Sequence, residues 1–365
     1  MAPAAVNRGA REASLRALSA GRLDGMGWVT EAWIERATDP AVFLPGCRSL
    51  IVLGLPARSP APALPAGGGT RGRVARYAWG RDYHRVFEAR LRRLARRLRD
   101  EFGCETRATV DYGPLLERPL AALAGAGWLG RSTMLLVPGA GPWLLLGVVA
   151  TTLELEAGQP LRKSCGSCSR CVVACPTGAL GTYGGGLDAR LCISYHTIEN
   201  RGPIPRALRS KFGDWVFGCD GCLDSCPVGA GRFEADAEFR PATADAAFPP
   251  LAELLALDQA AFVARFRGRA VSRARRDGLV RNACVALGNV GRAEDLGAVL
   301  SALADSSPLV RGHAAWALGR LVERGVVGAD SARVALEIAG GAEADSSASE
   351  EIEAALASIL PALVS

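Results

Sequence analysis

The sequence has no long apolar run. Its most extended candidate, around residues 142–152, falls short of the ~20 apolar residues that a membrane-spanning helix needs. Residues 1–23 carry scattered charges, with neither an apolar stretch of signal-peptide length nor a twin-arginine pair ahead of one. Export and membrane insertion are therefore not expected, and the chain is read as cytoplasmic, with no membrane partner. Nor is there a large excess of either charge: 43 Lys and Arg against 37 Asp and Glu leave +6. With 49% hydrophobic and 22% charged residues, the 365-residue chain reads as an ordinary globular protein long enough for two or three units.

A cytoplasmic setting changes how the 11 cysteines are read. Thiols there stay reduced, so closely spaced cysteines usually bind metal, and disulfides are the weaker reading. Cys165, Cys168, Cys171 and Cys175 form C-x2-C-x2-C-x3-C, followed by Pro176. This is the bacterial ferredoxin run, in which three thiolates hold one cubane and the fourth reaches the other cluster. A second run, Cys219, Cys222 and Cys226 with Pro227, is one ligand short, and Cys192 can supply it. The natural partition gives Cys165, Cys168, Cys171 and Cys226 to one 4Fe–4S cluster, and Cys175, Cys192, Cys219 and Cys222 to the other. Zinc is the competing reading, because paired C-x2-C elements also make tetrahedral zinc sites. Two such elements need only four thiols, whereas eight stand here in a crossed pattern with proline after each terminal cysteine. Cys47, Cys104 and Cys284 sit among apolar neighbours and are expected to be small core residues.

Around this segment the fold class expected is α+β in three parts. Residues 1–155 read as a mixed α/β domain: a buried strand over 48–55, a Pro/Ala/Gly-rich loop at 59–69, and a helix over 82–102 with a basic outer face. A short strand follows over 106–110, ending at Asp111. Then come a helix through Leu120, a glycine-rich turn at 125–130 and two apolar runs resembling a hairpin around residues 138–142. Residues 156–235 form the ferredoxin-like two-cluster domain, which has too little apolar surface to fold without its metal centres. Residues 236–365 are rich in Ala, Leu and Arg. Ala286-Leu287-Gly288 returns at Ala317-Leu318-Gly319, and Val280-Arg281 at Val310-Arg311. A period near thirty suggests helix pairs of a HEAT-like repeat. An electron carrier needs neither the domain in front nor the repeat behind, so the arrangement argues for an enzyme.

At this point the residues resemble the epoxyqueuosine reductases, cobalamin-dependent iron–sulfur enzymes that complete the queuosine modification of tRNA. The marks are Arg76-Tyr77-Ala78, Gly80-Arg81-Asp82-Tyr83-His84, Val110-Asp111 with Gly113-Pro114, and Gly127-Trp128-Leu129-Gly130. They continue with Cys192-Ile193-Ser194-Tyr195, Thr197-Ile198-Glu199, Gly218-Cys219-Asp220, Arg281-Asn282, and the stretch from Gly312-His313 to Leu318-Gly319. The resemblance implies removal of the oxygen of a strained cyclic ether on a wobble nucleoside, leaving an alkene, with clusters that reduce a cobalamin one electron at a time. It also implies that Asp111 is the acid that protonates the departing oxygen, as a buried carboxyl at a strand end; without the family, Asp111 reads as a turn residue. Arg131, Ser132, Met134, Ser194, Tyr195 and Thr197 are the residues expected at the corrin pocket. Asp82-Tyr83-His84 begins like the D-x-H-x-x-G pattern of cobalt-ligating proteins, but Phe87 stands where glycine should be. His84 is therefore read as a contact beside the pocket or a helix-start residue, not a cobalt ligand. The chain departs from the family at Arg131, where lysine is usual, at Tyr112, where threonine is usual, and at Pro227-Val228-Gly229, where Pro-Trp-Asn is usual.

Arginines crowd residues 71–99 and 265–281. Such runs often make only solvated helix faces, but Arg265, Arg267, Arg269, Arg273, Arg275 and Arg276, within twelve residues, suit a phosphate backbone. The partners expected are the tRNA anticodon stem-loop, with Arg273, Arg275 and Arg276 as contacts, and an external one-electron donor such as a flavodoxin or ferredoxin. The alternatives are another cobalamin and iron–sulfur reductase, such as a reductive dehalogenase, and a non-catalytic ferredoxin-type carrier.

Overall fold

The computed structural model describes residues 1–64, 69–181, 186–228 and 234–359. Part of the loop at 59–69, and Gly229 of the Pro-Val-Gly departure, lie outside the described residues. Helices and strands are mixed along the chain. Among the described residues the strands are β1 (Ala2–Pro3), β2 (Ser49–Pro56), β3 (Arg73–Val74), β4 (Thr106–Thr109), β5 (Trp128–Leu129), β6 (Leu135–Leu136), β7 (Leu144–Thr151) and β8 (Trp215–Phe217). No helix among the described residues is long and apolar enough to cross a membrane.

The chain divides into two compact units that interleave in sequence. The first holds Met1–Pro60, Arg76–Cys192 and Asp220–Arg240; the second holds Ala61–Ala75, Ile193–Cys219 and Pro241–Ser365. The cysteine segment 156–235 is thus shared between them.

In the first unit, β1, β2, β7 and β4 form an antiparallel sheet in that order. Alternation along β7 serves two cores at once, because successive side chains of a strand point to opposite faces. Val149 joins Phe87, Leu91 and Val110 under the helix Tyr83–Phe102, whereas Val148 and Ala150 join Leu50, Phe43 and Leu120 on the other side. That helix starts where the Asp82 carboxylate accepts the His84 N–H and stops at Gly103, whose φ of 62° is the left-handed conformation of a helix C-terminus. Phe87 faces Gly147, where an added Cβ would lie 3.2 Å from the phenylalanine ring, so the bulky residue in place of the pattern's glycine is a core residue.

The apolar runs on either side of residues 138–142 do not form a hairpin with each other. β6 pairs with β5, while β7 runs between β2 and β4, and only Val137 bridges Gly141. Eight residues of β7 find an eight-residue partner in β2, a longer ladder than a hairpin with the two-residue β6 allows.

In the second unit β3 pairs in parallel with β8. The helices Arg275–Val290, Pro308–Glu323 and Ser346–Ile359 stack in sequence, the middle one touching both others, and Ala329–Ala342 covers the last. The repeated Ala-Leu-Gly serves this stacking: a Cβ on Gly288 would lie 2.5 Å from the Trp316 ring, so only glycine permits the approach. Buried cations tie the stack. The Arg209 guanidinium forks onto Glu351 at 2.8 and 2.7 Å, and Arg276 forks onto Asp305.

Candidate functional site

Asp111 follows the end of β4 with φ 55°, a left-handed conformation that a non-glycine residue adopts at a cost. The cost is met locally. Its backbone N–H donates to Glu117 Oε1 at 2.5 Å, and its carboxylate Oδ2 lies 3.1 Å from His84 Nε2. The other imidazole nitrogen, Nδ1, lies 2.7 Å from Asp82 Oδ1. His84 is thus clasped at both ring nitrogens by carboxylates. Burial alone would lower the imidazole, but the hydrogen bonds and charges of Asp111 and Asp82 overcome it and hold His84 at about 9. At neutral pH the proton of this chain of groups rests on His84. Glu117, next to it, is pushed up to about 8 by burial and the nearby Asp111 charge, although the Asp111 N–H opposes the shift.

One expectation is corrected here. Asp111 is not a buried carboxyl, since its side chain keeps 43% of its exposure. Tyr112, also exposed, lies with its ring 5.4 Å from that of His84. Glu117 did not stand out in the sequence, and His84 was read only as a contact beside the pocket or a helix-start residue, not as the partner of Asp111. The available signal was Asp82-x-His84, a carboxylate two residues before an imidazole at a helix start.

The cysteine segment has an internal symmetry. Cys171 lies on the short helix Arg170–Val173 and Cys222 on the short helix Gly221–Asp224, and the two helices pack together. After each, a matching turn presents the proline-flanked cysteine: Cys175 N–H donates to Val172 O at 3.3 Å, and Cys226 N–H to Leu223 O at 3.2 Å. All eight ligand candidates are of intermediate burial, and none is in a disulfide. Burial raises the Cys171 thiol, and so do Cys165 and Cys226; burial likewise raises Cys226, together with Cys165 and Cys168. Cys226 of the second run thus feels the charge of Cys165 and Cys168 of the first, and Cys171 that of Cys226. Cys175, Cys192 and Cys222 belong to the same unit, and Cys219 ends a segment of the second. Among the described residues no three His, Cys, Asp or Glu side chains converge on a single-ion site; the donor candidates, eight cysteines, suit iron–sulfur cubanes.

Arg76 braces this cradle. Its N–H donates to buried Asp220 Oδ2 at 2.8 Å, its guanidinium reaches Asp224 at 2.7 Å, and it lies over the Trp143 ring at 4.9 Å. The Arg76-Tyr77-Ala78 mark thus holds the helix that carries Cys222.

The residues expected at the corrin fall into two groups. Arg131, Ser132 and Met134 lie in the first unit, where the glycine-rich turn comes so close to β6 that a Cβ on Gly127 would sit 2.3 Å from the Leu136 carbonyl oxygen. The Arg131 guanidinium donates to Gly166 O at 2.9 Å, inside the first cysteine loop. Ser194, Tyr195 and Thr197 lie in the second unit on the helix Ile193–Ile198. That helix is held by Arg281, which donates to His196 O at 2.6 Å, and by Asn282, which donates to Thr197 O at 2.9 Å. Thr197 is not available to a ligand: it is fully buried, and its hydroxyl donates to Ile193 O and accepts the Gly218 N–H. Of the arginines expected to meet RNA, Arg275 is exposed and Arg273 reaches Glu199 at 2.7 Å. Arg276 is a correction: it is buried, held by Asp305 and the Leu257 carbonyl, and presents no charge to a phosphate.

Residues 37–112 match the family model described as "Epoxyqueuosine reductase QueG, DUF1730", and residues 164–229 match the "4Fe-4S double cluster binding domain". An epoxyqueuosine reductase of Xanthomonas campestris is 42% identical over 69% of this chain and 71% of its own length, and one of Gloeobacter violaceus is 40% identical over 75% and 86%. The chain belongs to the epoxyqueuosine reductase family. Its fold agrees: a solved epoxyqueuosine reductase with an epoxyqueuosine-modified tRNA-Tyr stem loop superposes with a TM-score of 0.89 at 32% identity, covering 98% of this chain and 93% of that one. The Bacillus subtilis epoxyqueuosine reductase, in a structure with its catalytic aspartate loop swung out of the active site, gives 0.88 at 31% identity, with the same coverage of both chains. As an epoxyqueuosine reductase, the chain is an oxidoreductase with a double-cluster iron–sulfur domain.

Proposed function

We propose that this chain reduces epoxyqueuosine to queuosine at the wobble position of tRNA, with electrons passing through two 4Fe–4S clusters to a cobalamin and with Asp111 delivering the proton. Opening the epoxide to the alkene consumes two electrons and two protons and releases the oxygen as water. A bound cobalamin supplies low-valent cobalt chemistry at the epoxide carbon. Arg131, Ser132 and Met134 are the residues of the first unit that would hold it. Buried Trp128 Nε1 supports the fit, because this donor has no partner among the described residues and a corrin carries a rim of amide acceptors.

The observation that carries the reading is the strained Asp111 with His84 behind it. An alkoxide leaves poorly without a proton, and a carboxylate that is merely ionised cannot give one. His84 holds that proton at neutral pH, 3.1 Å from Asp111. When substrate excludes water, the separated charges of the pair become costlier, and the proton passes to Asp111 and from it to the oxygen. Asp82 fixes the tautomer and the ring plane, as an orienting carboxylate does for a catalytic imidazole.

The substrate would be the intact anticodon stem-loop, its stem held by basic side chains while the modified base turns into the pocket. Arg273 and Arg275, at the start of a HEAT-like helical repeat, are the candidate phosphate contacts. The division of labour proposed is residues 1–155 for cobalamin and substrate, 156–235 for the clusters and 236–365 for tRNA, which differs from the two interleaved compact units. The setting is the cytoplasm, and the electrons come from a one-electron carrier. Incubating the reconstituted protein with epoxyqueuosine-containing stem-loop and a reductant, then measuring the nucleosides by mass, tests the reading. Loss of one oxygen is expected; an intact epoxide in the presence of both cofactors would sink it.

A further inference from the structure

We propose that the exposed face of the first cysteine run is the docking site for an acidic protein that carries single electrons, such as a flavodoxin; this rests on the electron path of the proposed function. The run is unusually one-sided in charge. No Asp or Glu occurs between Glu156 and Asp188, whereas Arg162, Lys163 and Arg170 fall within that stretch, and all three are exposed. Arg131 joins them through Gly166 O, and Lys163 sits over the Trp128 ring at 5.9 Å, next to the turn that carries Arg131. Several arginines elsewhere in the unit are matched to carboxylates: Arg76 to Asp224, Arg90 to Asp236, Arg190 to Asp188. Among the described residues, none of these four cations forms an ion pair.

The centre of the face is apolar. Val173 keeps 82% of its exposure, the most of any large hydrophobic residue described, and Ala174 and Pro176 beside it are exposed too. Val173 stands two residues from Cys171 and two from Cys175, so a partner seated on it lies beside ligands of both expected clusters. An apolar centre within an unpaired basic rim is the form of a transient protein interface, with charge speeding the encounter. A phosphate backbone asks for the cations but gives no reason for the valine. Each encounter moves one electron: the reduced carrier is oxidised by one and a cluster is reduced by one. Two encounters supply the two electrons that one epoxide consumes.

The test uses the cluster-loaded full chain with a reduced flavodoxin as probe. Arg162→Glu with Lys163→Glu, Arg170→Glu, and Val173→Asp are compared with the unaltered protein. Binding is followed by calorimetry, and cluster reduction by stopped-flow bleaching of the iron–sulfur absorption. Each variant should weaken flavodoxin binding and slow bleaching about tenfold or more at low salt. Reduction by dithionite, which needs no docking surface, and affinity for the tRNA stem-loop should not change. Flavodoxin binding to the variants as to the unaltered protein would overturn the proposal, and so would a parallel loss of stem-loop affinity, which would mark the face as an RNA contact. If dithionite reduces both clusters of the unaltered protein but flavodoxin does not bind, the docking proposal fails while the electron path stands. If dithionite leaves the clusters oxidised, both fail.

Discussion

His84 Nε2 and Asp111 Oδ2 lie 3.1 Å apart, joining the start of the long helix Tyr83–Phe102 to a strained residue beyond β4. The contact favours a proton on His84. His84 is held at about 9 against an ordinary 6.5, so its ion pairs contribute stability in full below about 6.5, and that contribution is lost as the pH rises through about 9. Turnover should be flat in pH up to this range and fall above it. His84→Gln can still bond Asp111 but carries no such proton; its turnover should drop on the order of 10²-fold and lose the alkaline limb. A pH profile of single-turnover rates reads this directly, and an unchanged alkaline limb in the variant would assign the limb to another group.

Asp111→Asn should retain both clusters and bound cobalamin while losing about 10² to 10⁴ of the turnover, because an amide cannot donate a usable proton. Absorption spectra before and after reconstitution check the cofactors, and nucleoside analysis checks the chemistry. Turnover equal to that of the unaltered protein would move the acid to water or another residue.

Glu117 anchors the Asp111 N–H at 2.5 Å. Glu117→Gln keeps an acceptor oxygen and should keep most activity, whereas Glu117→Ala releases the strained turn and should lower turnover on the order of tenfold through misplacement. Equal rates in the two variants would remove Glu117 from the positioning of Asp111.

Eight irons and eight inorganic sulfides per chain are expected from two cubanes. Cys165→Ala and Cys219→Ala should damage different clusters, giving distinct electron paramagnetic resonance losses, since the crossed partition separates them. One or two zincs without sulfide would return the segment to a zinc site.

The two kinds of arginine at the start of the repeat should separate cleanly. Arg276→Glu removes the partner of buried Asp305 and should destabilise the fold by about 3–5 kcal/mol, read as a lower urea midpoint. Arg273→Glu with Arg275→Glu should leave absorption and cofactor content unchanged but weaken stem-loop binding and flatten its salt dependence. Normal binding by that double variant at moderate salt would make the segment a solvated face and turn the search for RNA contacts to residues 71–99.

The sequence alone determined the features whose chemistry is carried by spacing. The two cysteine runs, the strand at 48–55, though only its first residues are buried, and the helix at 82–102 all follow from local periodicity or ligand count, and the family marks travel with them. What local pattern cannot carry is the choice among distant partners. Whether β7 paired with β6 or with β2 depended on a ladder of eight residues formed across nearly a hundred positions of chain. Six arginines within twelve residues looked alike in one dimension, yet Arg276 went inside because Asp305 was there to receive it, and Arg275 stayed out. The site followed the same rule. Asp111 could be named from the sequence, but its exposure, its left-handed backbone and the proton stored on His84, 27 residues earlier, were decided only when the tertiary fold brought a helix start against a strand end.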